Sequence, residues 1–274
     1  MSGFKEAVGR AVAYIKSNTD IDSSIGIVFG SGLGGELENY TEIWECAFNK
    51  IPYFPVSTLD TQGGRFRYGI WNRVKVIILE GRVHWYEGYS SQDTTFGVRV
   101  LNGLGVKNII LTGIIGYIGK ATPGELALIT DHINLIPDNP LRGQSALCWG
   151  ARYPDMLDAY NQELRNITIP ILTRLGIPFK GVVLAAVGGP NLETRAEYRA
   201  LQTMGATAVS MSTVPETIAA VQGGSKVLGL SVISDLCDPD ELKSISLEEL
   251  ISNAQTGRVY LLEALEEIIG RIGE

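Results

Sequence analysis

Short apolar runs rich in β-branched residues recur along the chain, each closed by glycine or polar residues, with stretches of helical spacing between them. Ile25–Phe29, Val74–Leu79, Lys107–Leu111, Leu126–Ile129, Val182–Val187, Ala208–Met211 and Val227–Ile233 read as strands. Phe4, Val8, Val12 and Ile15 repeat at helical spacing and predict a first helix over residues 4–16. Further helices are expected from Gln92 to Leu104, from Pro154 to Leu175, from near Glu193 towards Met204, from near Pro215, and after Ser246. Ser246 suits an N-cap, with Glu248 and Glu249 in the first turn. Strands alternating with helices predict an α/β fold, a mixed, twisted central sheet flanked by helices. No repeat, charge block or low-complexity linker interrupts it, so residues 1–274 read as a single domain.

Functional residues in such sheets collect at strand ends. The strand Val74–Leu79 runs into Gly81-Arg82-Val83-His84-Trp85-Tyr86-Glu87-Gly88-Tyr89. Arg, His and Tyr within five residues, bounded by glycines, are more than packing requires. Arg82 carries a permanent charge on a planar donor fork suited to phosphate or carboxylate. Ile25–Phe29 ends in Gly30-Ser31-Gly32-Leu33-Gly34-Gly35, where consecutive N–H groups can form an anion nest. The same spacing matches a dinucleotide-binding loop or a plain tight turn, although no ribose-binding acid follows at the right distance. Other strand ends bring Thr112 to Ile114, Glu193, Met211 with Ser212, and Asp235. His132, between Asp131 and Ile133, reads as structural, and Glu193 doubles as a helix-start carboxylate.

Composition narrows the chemistry. A formal net charge of −7 argues against nucleic acid as a partner. No apolar run approaches membrane-spanning length and no signal-like core begins the chain. Three scattered cysteines, Cys46, Cys148 and Cys237, suit a reducing, cytoplasmic setting. Only two histidines are present, which excludes a His-rich metal site, and no metal is expected. Ser31, Arg82 and Ser212, with N–H groups near Ile114, would make a metal-free pocket for a phosphate dianion. Glu193 and Asp235 would read the edge of a heterocycle, with Tyr86 and Met211 against a sugar face. Phosphate beside a nucleoside suggests attack on an anomeric carbon.

The chain resembles the trimeric purine nucleoside phosphorylases, a family that also contains the methylthioadenosine phosphorylases. The resemblance rests on Gly30-Ser31-Gly32-Leu33-Gly34, the Gly81–Tyr89 stretch, Asp131-His132-Ile133-Asn134-Leu135 with Asn139-Pro140-Leu141-Arg142-Gly143, Gly189-Pro190-Asn191-Leu192-Glu193-Thr194, and Met211-Ser212-Thr213-Val214-Pro215-Glu216. These segments follow family order over nearly the whole chain. The resemblance implies that Ser31, Arg82, His84, Ser212 and the N–H of Ile114 bind phosphate. It implies that Tyr86 and Met211 line the ribose and that Glu193 and Asp235 engage the purine in a catalytic role alongside His84. Tyr153 resembles the aromatic lent by a neighbouring subunit, so a homotrimer is implied. Inorganic phosphate is the expected co-substrate, with no other cofactor.

Departures from the family pattern cluster at this site. Asp235 stands where most members have Asn; an ionised Asp only accepts, which suits a 6-amino group, and must be protonated to assist departure at N7. Leu247 aligns with the His that meets a 5′-hydroxyl, and Gln62 with the His of a mobile loop, here residues 57–64. Leu192 replaces a stacking aromatic. Thr112-Gly113-Ile114-Ile115-Gly116-Tyr117 puts bulky isoleucines into what should be a loop beside phosphate and sugar. Three readings follow: a phosphorylase with a redrawn purine pocket, a 5′-methylthioadenosine or adenosine phosphorylase, and a non-catalytic nucleoside-binding member.

Overall fold

Each apolar run read from the sequence is a strand, and nearly all are apolar on both faces because helices cover both sides of the sheet. The computed structural model describes residues 3–30, 32–58, 64–143 and 148–273, excluding the side chain of Leu247. The chain runs α1 (Gly3–Asn18), β1 (Ile25–Phe29), β2 (Tyr40–Ala47), β3 (Arg65–Trp71), β4 (Val74–Glu80), α2 (Ser91–Thr94) and α3 (Phe96–Leu104). It continues through β5 (Asn108–Leu111), β6 (Ile114–Tyr117), β7 (Leu126–Asn134), α4 (Gln162–Leu175), β8 (Phe179–Ala186) and α5 (Arg195–Thr203). It closes with β9 (Ala208–Ser210), α6 (Val214–Gln222), β10 (Lys226–Leu236) and α7 (Leu247–Gly273).

The strands form one ten-stranded sheet in the order β2-β3-β4-β1-β5-β10-β6-β9-β8-β7. Successive residues feed opposite cores: Val28, Ile77 and Ile109 pack under α1, α3 and α6, while Ile27, Ile78 and Ile110 pack under α4 and α7. β4, β1, β5 and β10 are mutually parallel, so their C-terminal ends share one side. β10, 11 residues long, pairs with β5 at its start, β7 in its middle and β6 at its end. With the β6–β9, β9–β8 and β8–β7 pairings this closes β10, β6, β9, β8 and β7 into a ring. β10 thereby carries Asp235 past the end of β5 to lie opposite Gly116 of β6.

Four expectations are corrected. β2 and β3 are strands without an apolar run, because they alternate charged and apolar residues at the sheet edge. Arg67 reaches Glu42 at 2.8 Å and Arg65 reaches Glu45 at 3.2 Å across that pair. The helix expected from Pro154 starts only at Gln162. Asp155 and Asp158 accept from the N–H groups of Leu157 (2.9 Å) and Gln162 (2.8 Å), turns that compete with helix, and Asn161 caps the helix from Leu164 N–H. The helix expected over 92–104 breaks at Thr95 into α2 and α3. The presumed loop Thr112–Tyr117 is strand from Ile114 onward. The dinucleotide reading also lapses, since among the described residues no helix follows β1 before β2 to receive a pyrophosphate.

His132 behaves as a structural residue: its Nδ1 lies 3.2 Å from the Tyr160 hydroxyl and the rings meet edge to face. Burial lowers its pKa below the ordinary 6.5, with Asp131 opposing. The unfolded chain therefore takes up this proton first, and stability is lost as pH falls through the unfolded value. The difference in Tm between the wild type and His132→Gln should narrow from pH 7 to pH 5, measured by thermal melts.

Candidate active site

Gly81 at φ +104 turns the chain after β4 and sends Arg82 inward, where it is buried. Its Nη2 donates to the carbonyls of Thr112 and Val28, the ends of β5 and β1. Its Nη1 donates to Thr213 Oγ1 at 3.4 Å and lies 3.3 Å from Glu216 Oε2. Nε is buried without a hydrogen-bond partner among the described residues, so the fork still has a donor unspent. Glu216 sits in the first turn of α6; burial pushes its carboxyl up, and Arg82 and the Thr213 N–H pull it back down.

Thr213 holds φ 65 and ψ −50, closing a three-residue turn in which Val214 N–H donates to Ser212 O at 2.7 Å. A β-branched residue in that conformation is strained, and such strain tends to sit at functional sites. The turn sets Ser212 Oγ 3.4 Å from Thr213 Oγ1. A Cβ built on Gly113 would lie 3.6 Å from Arg82 Nη1 and 3.8 Å from Ser212 Oγ, so these groups converge. Gly30 admits the convergence: a Cβ there would lie 2.8 Å from Gly113 Cα.

His84 faces the same cavity, with Arg82, Met211, Ser212 and Glu216. Its Nδ1 is 2.8 Å from Glu87 Oε1. Glu87 also accepts from Ser57 and from the N–H and hydroxyl of Thr58; burial opposes, but these donors and His84 hold it below the usual carboxylate range. An ionised carboxylate only accepts, so Nδ1 carries a proton and Nε2 is left for a ligand. Burial, and secondarily the Arg82 charge, lowers the His84 pKa against the pull of Glu87. Tyr86 stacks on His84 at 4.9 Å, and burial pushes its hydroxyl up to about 12.

The second half of the site lies beyond Trp85. A cavity of about 420 Å³ runs from Trp85 past Gly189 to Glu193, and one of about 850 Å³ continues from Glu193 and Leu192 to Asp235. Glu193 precedes Thr194, whose side chain caps α5 together with Glu197. Burial raises the Glu193 pKa, the Tyr198 hydrogen bond lowers it, and the Asp235 charge adds to the rise. A bulge between Ile233 and Asp235 re-aims Asp235, a device common beside active sites. Ser234 Oγ donates to Asp235 Oδ1 at 2.7 Å.

The structure thus gathers Arg82, His84, Met211 and Ser212 around one cavity, and Leu192, Glu193 and Asp235 around another. Tyr153, 85% exposed, lines neither. Ile114 opens β6 with its side chain packed on the core under α7, and Ile115 is buried in the opposite core, so the isoleucines do not fill the site. Ser31, Gln62 and the side chain of Leu247 lie outside the described residues. Roles for Glu87 and Glu216 were missed. The signals were present: a carboxylate three residues after His84, and the one charged residue in Val214–Ala220.

Residues 24–270 match the model of the phosphorylase superfamily. The chain is 40% identical to purine nucleoside phosphorylase 1 of Bacillus subtilis (strain 168) over 271 residues, 97% of this chain and 99% of that protein. It is 38% identical to the purine nucleoside phosphorylase of Mus musculus, covering 93% and 92%. A Schistosoma purine nucleoside phosphorylase in complex with guanosine superposes with a TM-score of 0.88 at 30% identity, over 98% of each chain. With the fold shared over its whole length, the chain belongs to the phosphorylase superfamily, among its purine nucleoside phosphorylases.

Proposed function

We propose that the chain cleaves the N-glycosidic bond of purine nucleosides with inorganic phosphate, giving free base and pentose 1-phosphate and using no other cofactor. The observation that carries this is the convergence of Arg82, His84, Ser212 and Gly113 at closed strand ends, one short cavity away from Glu193. Phosphate would be held by Arg82, Ser212, Ser31 and the N–H of Ile114. A neutral His84 offers Nε2 as an acceptor for the P–OH of hydrogen phosphate. Met211 and Tyr86 would meet the pentose, with Leu247 near its 5′ end. Phosphate attacks C1′ as the bond breaks, and its negative charge stabilises the oxocarbenium-like sugar. Glu193 and Asp235 hold the purine edge, with Leu192 beside them.

The same reading makes the protein a cytoplasmic homotrimer. Exposed Tyr153 and Leu157 support it, large side chains on a short turn that a neighbouring copy would cover. Among the described residues no helix is long and apolar enough to cross a membrane.

A second reading is favoured by Asp235. Both of its oxygens already accept donors, from Ser234 and Cys237, which marks an acceptor surface suited to a 6-amino group and hence to adenosine or 5′-methylthioadenosine. A panel of inosine, guanosine, adenosine and 5′-methylthioadenosine, with and without phosphate, separates the two. Free base should appear only with phosphate, and its ranking names the base. No product from any nucleoside would overturn both readings. Asp235→Asn should shift the preference towards inosine by about tenfold or more; an unchanged ratio would remove the role given to that carboxylate.

A further inference from the structure

The glycine-rich turn after β1 is gripped from behind. Gln255 donates its side-chain amide to Gly32 O. Arg258 Nε donates to Leu33 O and Gly34 O at 3.1 Å each, and its Nη2 donates to Glu36 O at 2.7 Å. Arg67 Nη1 donates to Gly35 O at 3.1 Å. Every carbonyl from Gly32 to Glu36 is thus met by a side chain distant in sequence. Gln255 and Arg258 stand three residues apart on α7 and so share one face. Among the described residues Arg258 meets no carboxylate, and its hydrogen bonds go to this turn.

A trans peptide unit points its C=O and N–H in opposite directions. Carbonyls drawn to Arg258 and Arg67 therefore leave the adjoining N–H groups facing the other way, and that of Leu33 donates to Gly30 O at 3.1 Å. The turn takes φ +74 at Gly32 and +111 at Gly35, conformations that a side chain would resist. It starts at the corner that Arg82 occupies: a Cβ on Gly30 would lie 2.8 Å from Gly113 Cα, and one on Gly113 would lie 3.6 Å from Arg82 Nη1. A carbonyl oxygen is a partial negative charge, and one turned into that corner would repel a phosphate dianion. A backbone so rich in glycine can flip its peptide units, so something has to hold the oxygens back.

We propose that Arg258, with Gln255 beside it, is a positioning residue for the phosphate co-substrate, tying the carbonyls of residues 32–36 to α7 and so keeping the N–H side of the turn towards the anion. This rests on the phosphorolysis proposed above. Arg258 acts through the turn and does not itself touch phosphate. Arg67 is also bound to Glu42 at 2.8 Å in the β2–β3 ladder, whereas Arg258 spends its fork on the turn, which makes it the residue to change.

Kinetics with phosphate and nucleoside varied in turn test this, on whichever nucleoside of the panel above is turned over best. Arg258→Met should raise the phosphate KM by about tenfold, with the nucleoside KM and the kcat at saturating phosphate within about twofold of the wild type. Arg258→Lys should restore little, because one ammonium group cannot span Leu33, Gly34 and Glu36 as the planar fork does. Leu261→Ala, in the core beneath the same helix, should lower Tm and leave the phosphate KM unchanged. No rise in phosphate KM for Arg258→Met, or an equal rise for Leu261→Ala, would overturn the clamp. If Arg258→Met fails to fold, Gln255→Leu takes its place, with an expected rise of about threefold, and no rise counts against the clamp in the same way. Thermal melts with and without inorganic phosphate read the contact without turnover: phosphate should raise the Tm of the wild type more than that of the variant. A wild type inactive on every nucleoside would overturn the phosphorolysis reading, and these melts would then decide the clamp alone, equal shifts overturning it.

Discussion

Replacing Arg82 with Met should lower phosphate-dependent kcat/KM by about 10³-fold, the scale of losing a preorganised charged donor at a reacting oxyanion. The same change leaves Glu216 buried, 3.3 Å from where its counter-charge was. Breaking a buried pair from one side typically costs about 3–5 kcal/mol, so the single variant should also melt earlier. The two effects separate in the double variant Arg82→Met with Glu216→Gln, which removes both charges. Its Tm should recover most of the loss while phosphorolysis stays down. Steady-state kinetics at varied phosphate, beside thermal melts, read both quantities. A double variant with wild-type kcat/KM and phosphate KM would show that the buried guanidinium only ties strand ends together.

Glu193→Ala should act in the opposite way on stability. Burial and the Asp235 charge both disfavour an ionised Glu193, so folding gains little from it beyond its contact with Tyr198. Tm should hold or rise slightly, while kcat/KM for the preferred purine nucleoside should fall by about 10²- to 10³-fold as the base loses its orientation. Activity lost without stability lost is the pattern of a group kept for chemistry. Near-normal turnover would move purine recognition to other groups lining the large cavity, such as Asn253.

The parallel strands were legible because helices cover both faces and make them apolar throughout, a signal that survives without neighbours. The strand ends were legible for the same reason: Arg82, Glu193 and Asp235 each follow such a run. What escaped was set by partners distant in sequence. β2 and β3 pair as an antiparallel ladder across which Glu42 and Glu45 meet Arg67 and Arg65, and Ile114–Tyr117 is strand because β10 and β9 flank it. Glu216 finds Arg82 across 134 positions of chain, a pairing that no local pattern announces. The isoleucines after Gly113, alarming in a loop, are ordinary in a strand that serves two cores.

The ring made by β10 with β6, β9, β8 and β7 has a mechanical consequence. A closed cycle of hydrogen-bonded strands cannot splay without breaking a ladder, so the frame under the purine is stiff. Within the sheet the β2–β3–β4 arm joins that frame through β1 and β5, with α7 packed against β4 and holding Asn39 and Asn72 at Glu266, and the arm delivers Arg82 and His84. The floor on which Asp235 sits thus belongs to the closed cycle, while Arg82 and His84 are brought to it from a strand outside that cycle.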